Sequence, residues 1–418
     1  MPIIGTQTDT GSNPNYTVGG SNQNFYILSS AVVMCGGNTA FNVGSFGSVG
    51  VYNNGAIIGY YGIATSGSLS TIFNASSGLI SSTLISININ QAADAALVTN
   101  NGTIVSNYLA ISVAADYCGV DNSGMISAYN GIYIAGANTF ISNSGTINAQ
   151  NLALYITDQI STAEIVNTGL IVGGAYAIQT YGSVVIHNSG SISGEVLLQG
   201  ATNVIDGYGG SITGRITGGA GVDTFDLRHM TVIGTIAGGL GADTILGTAD
   251  ADLIYGDSIS GGTSGGADTL SGGYGDDSIY GGYGADTITG NQGDDMLYGN
   301  QDNDWIHGGQ GDDALYGGQG NDTLNGGVGD DILYGNLGND LFVVAANFGH
   351  DTIADFGVVA GNSDIVSFAP GIFDSYAAVV AHMAQSGANV VLTLDAGDGL
   401  VFANTTVAAL TADHFLFG

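Results

Sequence analysis

The 418-residue chain contains no lysine and only two arginines, Arg215 and Arg228, against thirty-five acids, for a formal net charge of −33. A charge of that sign and size argues against nucleic acid and anionic membrane surfaces as partners. The imbalance is uneven, because residues 1–214 hold no base and only eight acids. So charge-poor a half is a solubility risk for a monomer and reads as a surface meant to contact something, copies of itself included. Cysteine is nearly missing: Cys35 and Cys118 give no disulfide framework, and a pair or two buried thiols fit equally. No apolar run reaches transmembrane length, so membrane insertion is not expected. The opening MPIIGTQTDTGSNPNYTVGG lacks the basic start and apolar core of a secretory signal.

What is abundant is glycine, with 72 residues, and it is periodic. An aspartate occupies every ninth position from Asp268 through Asp277, Asp286, Asp295, Asp304, Asp313, Asp322 and Asp331 to Asp340. Each nonamer, as in GGYGADTIT or GGQGDDALY, joins a glycine-rich turn, one acid and an aliphatic or aromatic residue two positions later (Ile279, Ile288, Leu297, Ile306, Leu315, Leu324, Leu333, Phe342). The stretch after each acid is extended, with that residue inward and its neighbours outward. Two nonamers make one flattened coil, so turns eighteen residues apart stack on one edge.

This pattern resembles the RTX calcium-binding repeat, G-G-x-G-x-D-x-U-x. The resemblance covers about 238–343 and implies a calcium-loaded β-roll with several Ca2+ ions. Calcium wants six to eight oxygen ligands, more than one acid per nonamer supplies, so turn carbonyls must contribute. In the family each ion sits between stacked turns, held by both carboxylates and by turn carbonyls. That places pairs such as Asp277/Asp295, Asp286/Asp304, Asp295/Asp313 and Asp304/Asp322 on ions. The turn positions implied are Gly273 and Gly275, Gly282 and Gly284, Asn291 and Gly293, Asn300 and Asp302, Gly309 and Gly311, Gly318 and Gly320, Gly327 and Gly329, and Gly338. Asp302 departs from the pattern where a glycine is usual, but aspartate tolerates left-handed backbone better than most residues. Upstream, GGAGVDTFD, GGLGADTIL and GTADADLIY lead to an insertion at 256–271, which makes Asp223, Asp243, Asp252 and Asp268 less regular ligands. Without ions, stacked carboxylates repel and glycine-rich coils bury little apolar area, so calcium acts as the folding switch.

A second period runs through 50–213. NNGAII, SSGLIS, NNGTIV, NSGMIS, NSGTIN, NTGLIV, NSGSIS and YGGSIT share a Gly-x-Ile core whose glycines lie 20 to 24 residues apart. The spacing reads as a parallel β-helix with stacked asparagines before each turn. It is similar to passenger regions of autotransporter-like surface proteins. The fold expected is therefore all-β: a parallel β-helix of about 22 residues per coil, then a calcium-binding parallel β-roll of 18 per coil, then a small β-rich cap. The segments are 1–50 (first coils and cap), 51–215 (β-helix), 216–343 (β-roll) and 344–418 (cap). In the last, 375–387 reads as a short helix, while NVVLTL and GLVFAN read as strands. Its apolar, base-free end resembles the export signal of RTX proteins, which generally leave without an N-terminal signal peptide.

Tyr280, Tyr298, Tyr316 and Tyr334 recur every eighteen residues and form an outward ladder, either stacking among themselves or offering an interface. Catalytic motifs are missing. No HExxH occurs, the G-x-S-x-G at 262–266 lies in the insertion, and Glu164 and Glu195 are the only glutamates. Alginate epimerases join the same two folds, but residues 1–214 have His187 alone and no base for a polyuronate. We therefore expect no enzyme. The expectation is a secreted, calcium-dependent protein, extracellular or on the cell surface, that partners with itself in a surface layer, filament or matrix. An adhesin whose β-helix recognises a cell-surface glycan is the alternative, and a polysaccharide-processing β-helix comes third.

Overall fold

A computed structural model describes residues 3–418 apart from 5–6, 10–15, 19–22, 30, 36–38, 44–48, 66–70, 91–94, 158–161, 260–263, 360–361 and 395–397. For 3–23, 35, 43 and 49 it describes the backbone course alone, so the Cys35 side chain lies outside the described residues, as does part of the 262–266 motif. The chain divides into two compact units, Met1–Ile216 and Thr217–Gly418, each a parallel β-solenoid and nearly all β.

In the first unit the repeated Gly-x-Ile phrase sets the register. Ile57, Ile80, Ile104, Ile126, Ile147, Ile171, Ile192 and Ile212 pair coil to coil in one inward column, at most 1 % exposed. Alternation of side chains across each strand leaves the intervening Ser, Thr and Asn outward, as in Met125–Ile134 and Thr146–Ile156. Strands from Ile3 onward, including Gln23–Ile27 and Thr39–Val43, continue the same parallel pairing.

A buried column of amides lies beside the turns. Asn53, Asn74, Asn100, Asn122, Asn143, Asn167 and Asn188 each lie on a successive coil, and each Nδ2 donates to the next Oδ1 at 2.7–2.8 Å. All are at most 1 % exposed. Burying so many polar groups is tolerable because every amide both gives and receives a bond. The glycine that follows in each turn, two residues on except after Asn74, where it is Gly78, has no room for a side chain: a Cβ at Gly124 or Gly145 would overlap the carbonyl of the glycine one coil before.

The second unit winds in shorter coils. Ile279, Leu297, Leu315 and Leu333 form one inward column and Ile288, Ile306, Leu324 and Phe342 the other, all at most 3 % exposed. Each regular strand spans six residues, as in Ser278–Tyr283 and Thr287–Gln292, and buries its second and fourth residues, the fourth being a glycine. Downstream, His350–Ile353, Ile365–Phe368, Gly399–Phe402 and Phe415–Phe417 extend the parallel stack.

The end is closed by a hairpin, Met383–Ser386 with Asn389–Thr393, running antiparallel onto Gly399–Phe402. Such a turnover blocks further edge pairing. The helix expected over 375–387 is shorter, only Tyr376–Ala381 with Ser375 as its N-cap. Gly387 at φ 63° turns the chain, and pairing of Met383 with Leu392 takes the remainder into the sheet. Sheet hydrogen bonds outweigh local helix preference in that run.

Candidate metal centre

Two columns of buried aspartates run up the second unit. On one edge Asp223, Asp243, Asp268, Asp286, Asp304, Asp322, Asp340 and Asp364 succeed one another, and each backbone N–H donates to Oδ1 of the next at 2.7–2.9 Å. On the other, Asp252, Asp277, Asp295, Asp313, Asp331 and Asp351 do the same at 2.8–3.1 Å. The inward pull of the neighbouring aliphatic fixes where each acid falls, and the left-handed turn behind it brings the chain back. Gly282 (φ 116°) and Gly284 (φ 110°) make such a turn. Where glycine is replaced, Asn291, Asn300 and Asp302 take φ of 85°, 80° and 75°. Asn300 Nδ2 donates to the Tyr298 carbonyl at 3.3 Å, and Asp302 Oδ2 accepts from Gly284 N at 3.2 Å.

The second carboxylate oxygen is the informative atom. Oδ2 of Asp243, Asp268, Asp277, Asp286, Asp295, Asp304, Asp313, Asp322, Asp331 and Asp340 is buried and accepts nothing from the protein. A buried carboxylate oxygen left without a partner is costly, so a column of them implies a cation or protons. At the ends of one column the chain supplies the bond itself: Gly219 N donates to Asp223 Oδ2 at 2.8 Å, and Gly357 N to Asp364 Oδ2 at 2.6 Å. The first glycine of each nonamer lies directly against an orphaned oxygen. A Cβ added at Gly272, Gly281, Gly290, Gly299, Gly308, Gly317, Gly326 or Gly335 would run into Oδ2 of the aspartate five residues on. For Gly281 the same point approaches the Gly299 carbonyl of the next coil.

Carboxylate and carbonyl oxygens thus converge, the donor set a hard cation such as calcium prefers. Among the described residues no cluster of three or more His, Cys, Asp and Glu side chains forms a metal site. A cation here would be held by stacked carboxylates supplemented by turn carbonyls, which is a set calcium accepts and zinc does not.

Burial pushes these carboxyls well above the usual range. Asp286 rises to about 9 and Asp268, Asp277, Asp304 and Asp313 to about 8. Asp243 and Asp340 rise to about 7, and Asp295, Asp322 and Asp331 to about 6. Neighbouring carboxylates add to the rise at Asp268, Asp286 and Asp313, while the N–H that each ladder oxygen accepts opposes it. Without a cation, ionising the whole column at neutral pH is therefore unfavourable.

Every regular aspartate named from the sequence falls in one of these columns, as do Asp243, Asp252 and Asp268; Asp302 is the exposed turn residue. Several participants were missed. Asp351 and Asp364 extend the ladders across gaps of 20 and 24 residues instead of 18, and only the Asp-x-Ile and Asp-Ile phrases around them signal it. Asp355 accepts from Gly335 N and Asn336 N at 3.0 and 2.9 Å, and Asn336 has φ 65°. Asp257, in the insertion, accepts from Tyr283 N at 2.6 Å and keeps a buried Oδ1 without a protein partner. The first glycines were also missed.

The tyrosines stack on one outer face. Tyr255, Tyr280, Tyr298, Tyr316 and Tyr334 place ring centroids 4.7–4.9 Å apart at interplanar angles of 10° or less. Met296, Ile332 and Leu337 stand exposed along the same strands. Among the described residues no helix is long and apolar enough to cross a membrane.

Comparison with known proteins agrees with this geometry. The pattern of the RTX calcium-binding nonapeptide repeat (4 copies) matches residues 234–258, 262–297, 289–324, 307–342 and 316–353. No curated protein matches the chain. Among solved structures, the extracellular lipase LipA from Serratia marcescens is similar at 16% identity and a TM-score of 0.25. The match covers 67% of this chain and 45% of the lipase, so this chain spans less than half its length. A superposition that weak says nothing about lipid hydrolysis here. Proteins with these repeats bind Ca2+ and are typically secreted. Residues 234–258 and 262–353 of this β-solenoid protein are thus arrays of RTX calcium-binding nonapeptide repeats.

Proposed function

We propose that this is a secreted, calcium-folded structural protein whose copies assemble outside a bacterial cell, in a surface layer, a filament or a matrix. The observation that carries the calcium step is the column of buried Oδ2 atoms from Asp243 to Asp340 that no protein group meets. Calcium held by Asp277, Asp286, Asp295, Asp304, Asp313 and Asp322, with carbonyls of turns such as 282–284 and 309–311, would neutralise those atoms and lock coil to coil. Extracellular sites commonly have dissociation constants of about 10⁻⁴–10⁻³ M, so the roll stays unfolded at cytosolic calcium and folds outside. At ten times the dissociation constant each site contributes about 1.4 kcal/mol, and a column of them is comparable to a domain's whole stability.

Assembly is supported by the tyrosine ladder. A rigid aromatic strip flanked by exposed Met296 and Ile332, on a face with no positive charge, suits packing against a like face. The reading involves no catalysis. The test is light scattering and negative-stain electron microscopy of the purified chain, with calcium and with EGTA. Ordered growth in calcium that disappears in EGTA, and is weakened by Tyr298→Ser/Tyr316→Ser, supports assembly. A calcium-folded monomer at every concentration refutes it.

A further inference from the structure

The first unit carries a groove that neither calcium binding nor the tyrosine ladder uses. Tyr108, Asn130, Tyr133, Asn151, Tyr155 and Gln179 border a hollow of about 390 Å³. The register explains why they meet. Ser112, Tyr133, Tyr155 and Gln179 occupy matching outward positions on four successive coils. The bend next to that row contributes Asn130 and Asn151, and the Tyr108 carbonyl accepts from Asn130 N at 2.7 Å. With coils about 4.8 Å apart, the groove extends ~14 Å along the stack, long enough for several sugar units.

Three features of its lining define the ligand. First, the rings are splayed. Tyr133 and Tyr155 lie 5.5 Å apart at 49°, and Tyr155 and Tyr181 lie 6.0 Å apart at 69°. In the second unit the parallel rings spend their faces on one another; here Tyr133 and Tyr155 meet at an angle and do not stack face to face, and a tyrosine face not stacked on a parallel neighbour can pack against the C–H face of a pyranose ring. Second, amides stand between the rings. Asn151 Nδ2 donates to Asn130 Oδ1 at 2.9 Å, and among the described residues nothing else meets the Asn130 amide nitrogen or the Asn151 side-chain oxygen. A donor and an acceptor side by side match the paired hydroxyls of a sugar. Third, among the described residues no charged side chain lines the groove, and residues 1–214 contain no Lys or Arg at all. A uronate or sulfated chain gains nothing there.

We propose that this groove is a binding site for a neutral polysaccharide, laid along the coil stack with sugar faces on Tyr133 and Tyr155 and hydroxyls on Asn130, Asn151 and Gln179. It is a binding site, not a hydrolytic one. It would tether a calcium-folded protein to a matrix or surface glycan, a role separate from assembly through the second unit.

The test is affinity electrophoresis of the calcium-loaded full chain through gels containing a neutral β-glucan, mannan or galactan, and through gels containing alginate. Retardation by at least one neutral glycan and not by alginate is expected. Tyr133→Ala and Tyr155→Ala should each weaken it on the order of tenfold. Tyr316→Ala, in the other unit, should leave it unchanged. Both groove rings are half-buried outward residues, and circular dichroism checks that the variants fold. Asn151→Asp, nearly isosteric, provides a second variant and should weaken binding without altering the fold. Free migration through every neutral gel, equal retardation by alginate, or undiminished retardation of a folded Tyr133→Ala/Tyr155→Ala variant overturns the proposal. A chain that assembles in calcium but ignores every glycan would overturn this inference alone.

Discussion

Both units carry columns of buried polar side chains, one amide column in the first and two carboxylate columns in the second, yet the amide column is self-sufficient and the carboxylate columns are not. In the first unit the side chain is asparagine, whose amide carries a donor and an acceptor, so each residue satisfies the next. In the second it is aspartate, which when ionised accepts only. The backbone N–H of the coil before meets one oxygen, and the other is left bare. One group, NH2 against O⁻, separates an amide column whose members satisfy one another from carboxylate columns that leave one oxygen of most side chains bare.

The largest test of that contrast is chelation. Hydrogen exchange followed by mass spectrometry in EGTA should show residues 268–340 losing most of their protection while 97–198 retain it. Equal loss in both units would break the comparison.

Acid should partly substitute for the metal. The folded-state values of Asp286, Asp268, Asp277, Asp304 and Asp313 are raised to about 8–9, against an ordinary value of 3.8. A raised carboxyl stabilises the metal-free fold fully below the unfolded value and ceases to do so as pH climbs through the folded one. In EGTA, β-type circular dichroism should therefore be strongest near pH 4, decline mainly between about pH 6 and 9, and be nearly lost above. With calcium, which binds the ionised form, the trend should reverse. A chelated protein equally structured at pH 5 and pH 9 would contradict the buried-carboxyl account.

Converting one column toward the other gives the next effect. Asn122→Asp replaces the Nδ2 that donates to Asn143 Oδ1 at 2.7 Å with an oxygen, setting two acceptors face to face. The first unit should lose about 3 kcal/mol at neutral pH and less in acid, read as a pH-dependent drop in its melting temperature. An unchanged melt would show that the amide column is dispensable. Gly281→Ala should act more gently, by pushing a methyl group into the Asp286 carboxylate. It should remove about one site's worth of calcium stabilisation, on the order of 1.4 kcal/mol, and lower the ion count in a terbium titration by one. An unaltered count would mean that the Asp286 carboxylate beside Gly281 holds no ion.

The periodic parts of both columns were legible because identical coils repeat a local demand at a fixed interval. Asp277 and Asp295, or the glycines of NSGTIN and NTGLIV, announce themselves by spacing. The Asn ladder could be anticipated for the same reason. Asp351 and Asp364 were hidden because loops of different length precede them, so the ladder continues in space while its period in sequence ends. The first glycine of the nonamer was hidden for another reason. Its backbone is ordinary, and what forbids a side chain there is a carboxylate and a carbonyl that only winding brings close. The shortened helix at Tyr376–Ala381 shows the converse, a local preference overruled by a neighbouring strand.

The aspartate ladder also has a direction. Every N–H points toward the carboxylate of the coil that follows, and Asp364, the last acceptor on its edge, is already oriented by Gly357 of its own segment. At the opposite end Gly219 likewise orients Asp223, whose own N–H reaches forward to Asp243. Winding that starts near Asp364 therefore lays each new turn onto a receptor already in place, like thread taken up on a bobbin. Winding from the other end must reach for one still loose.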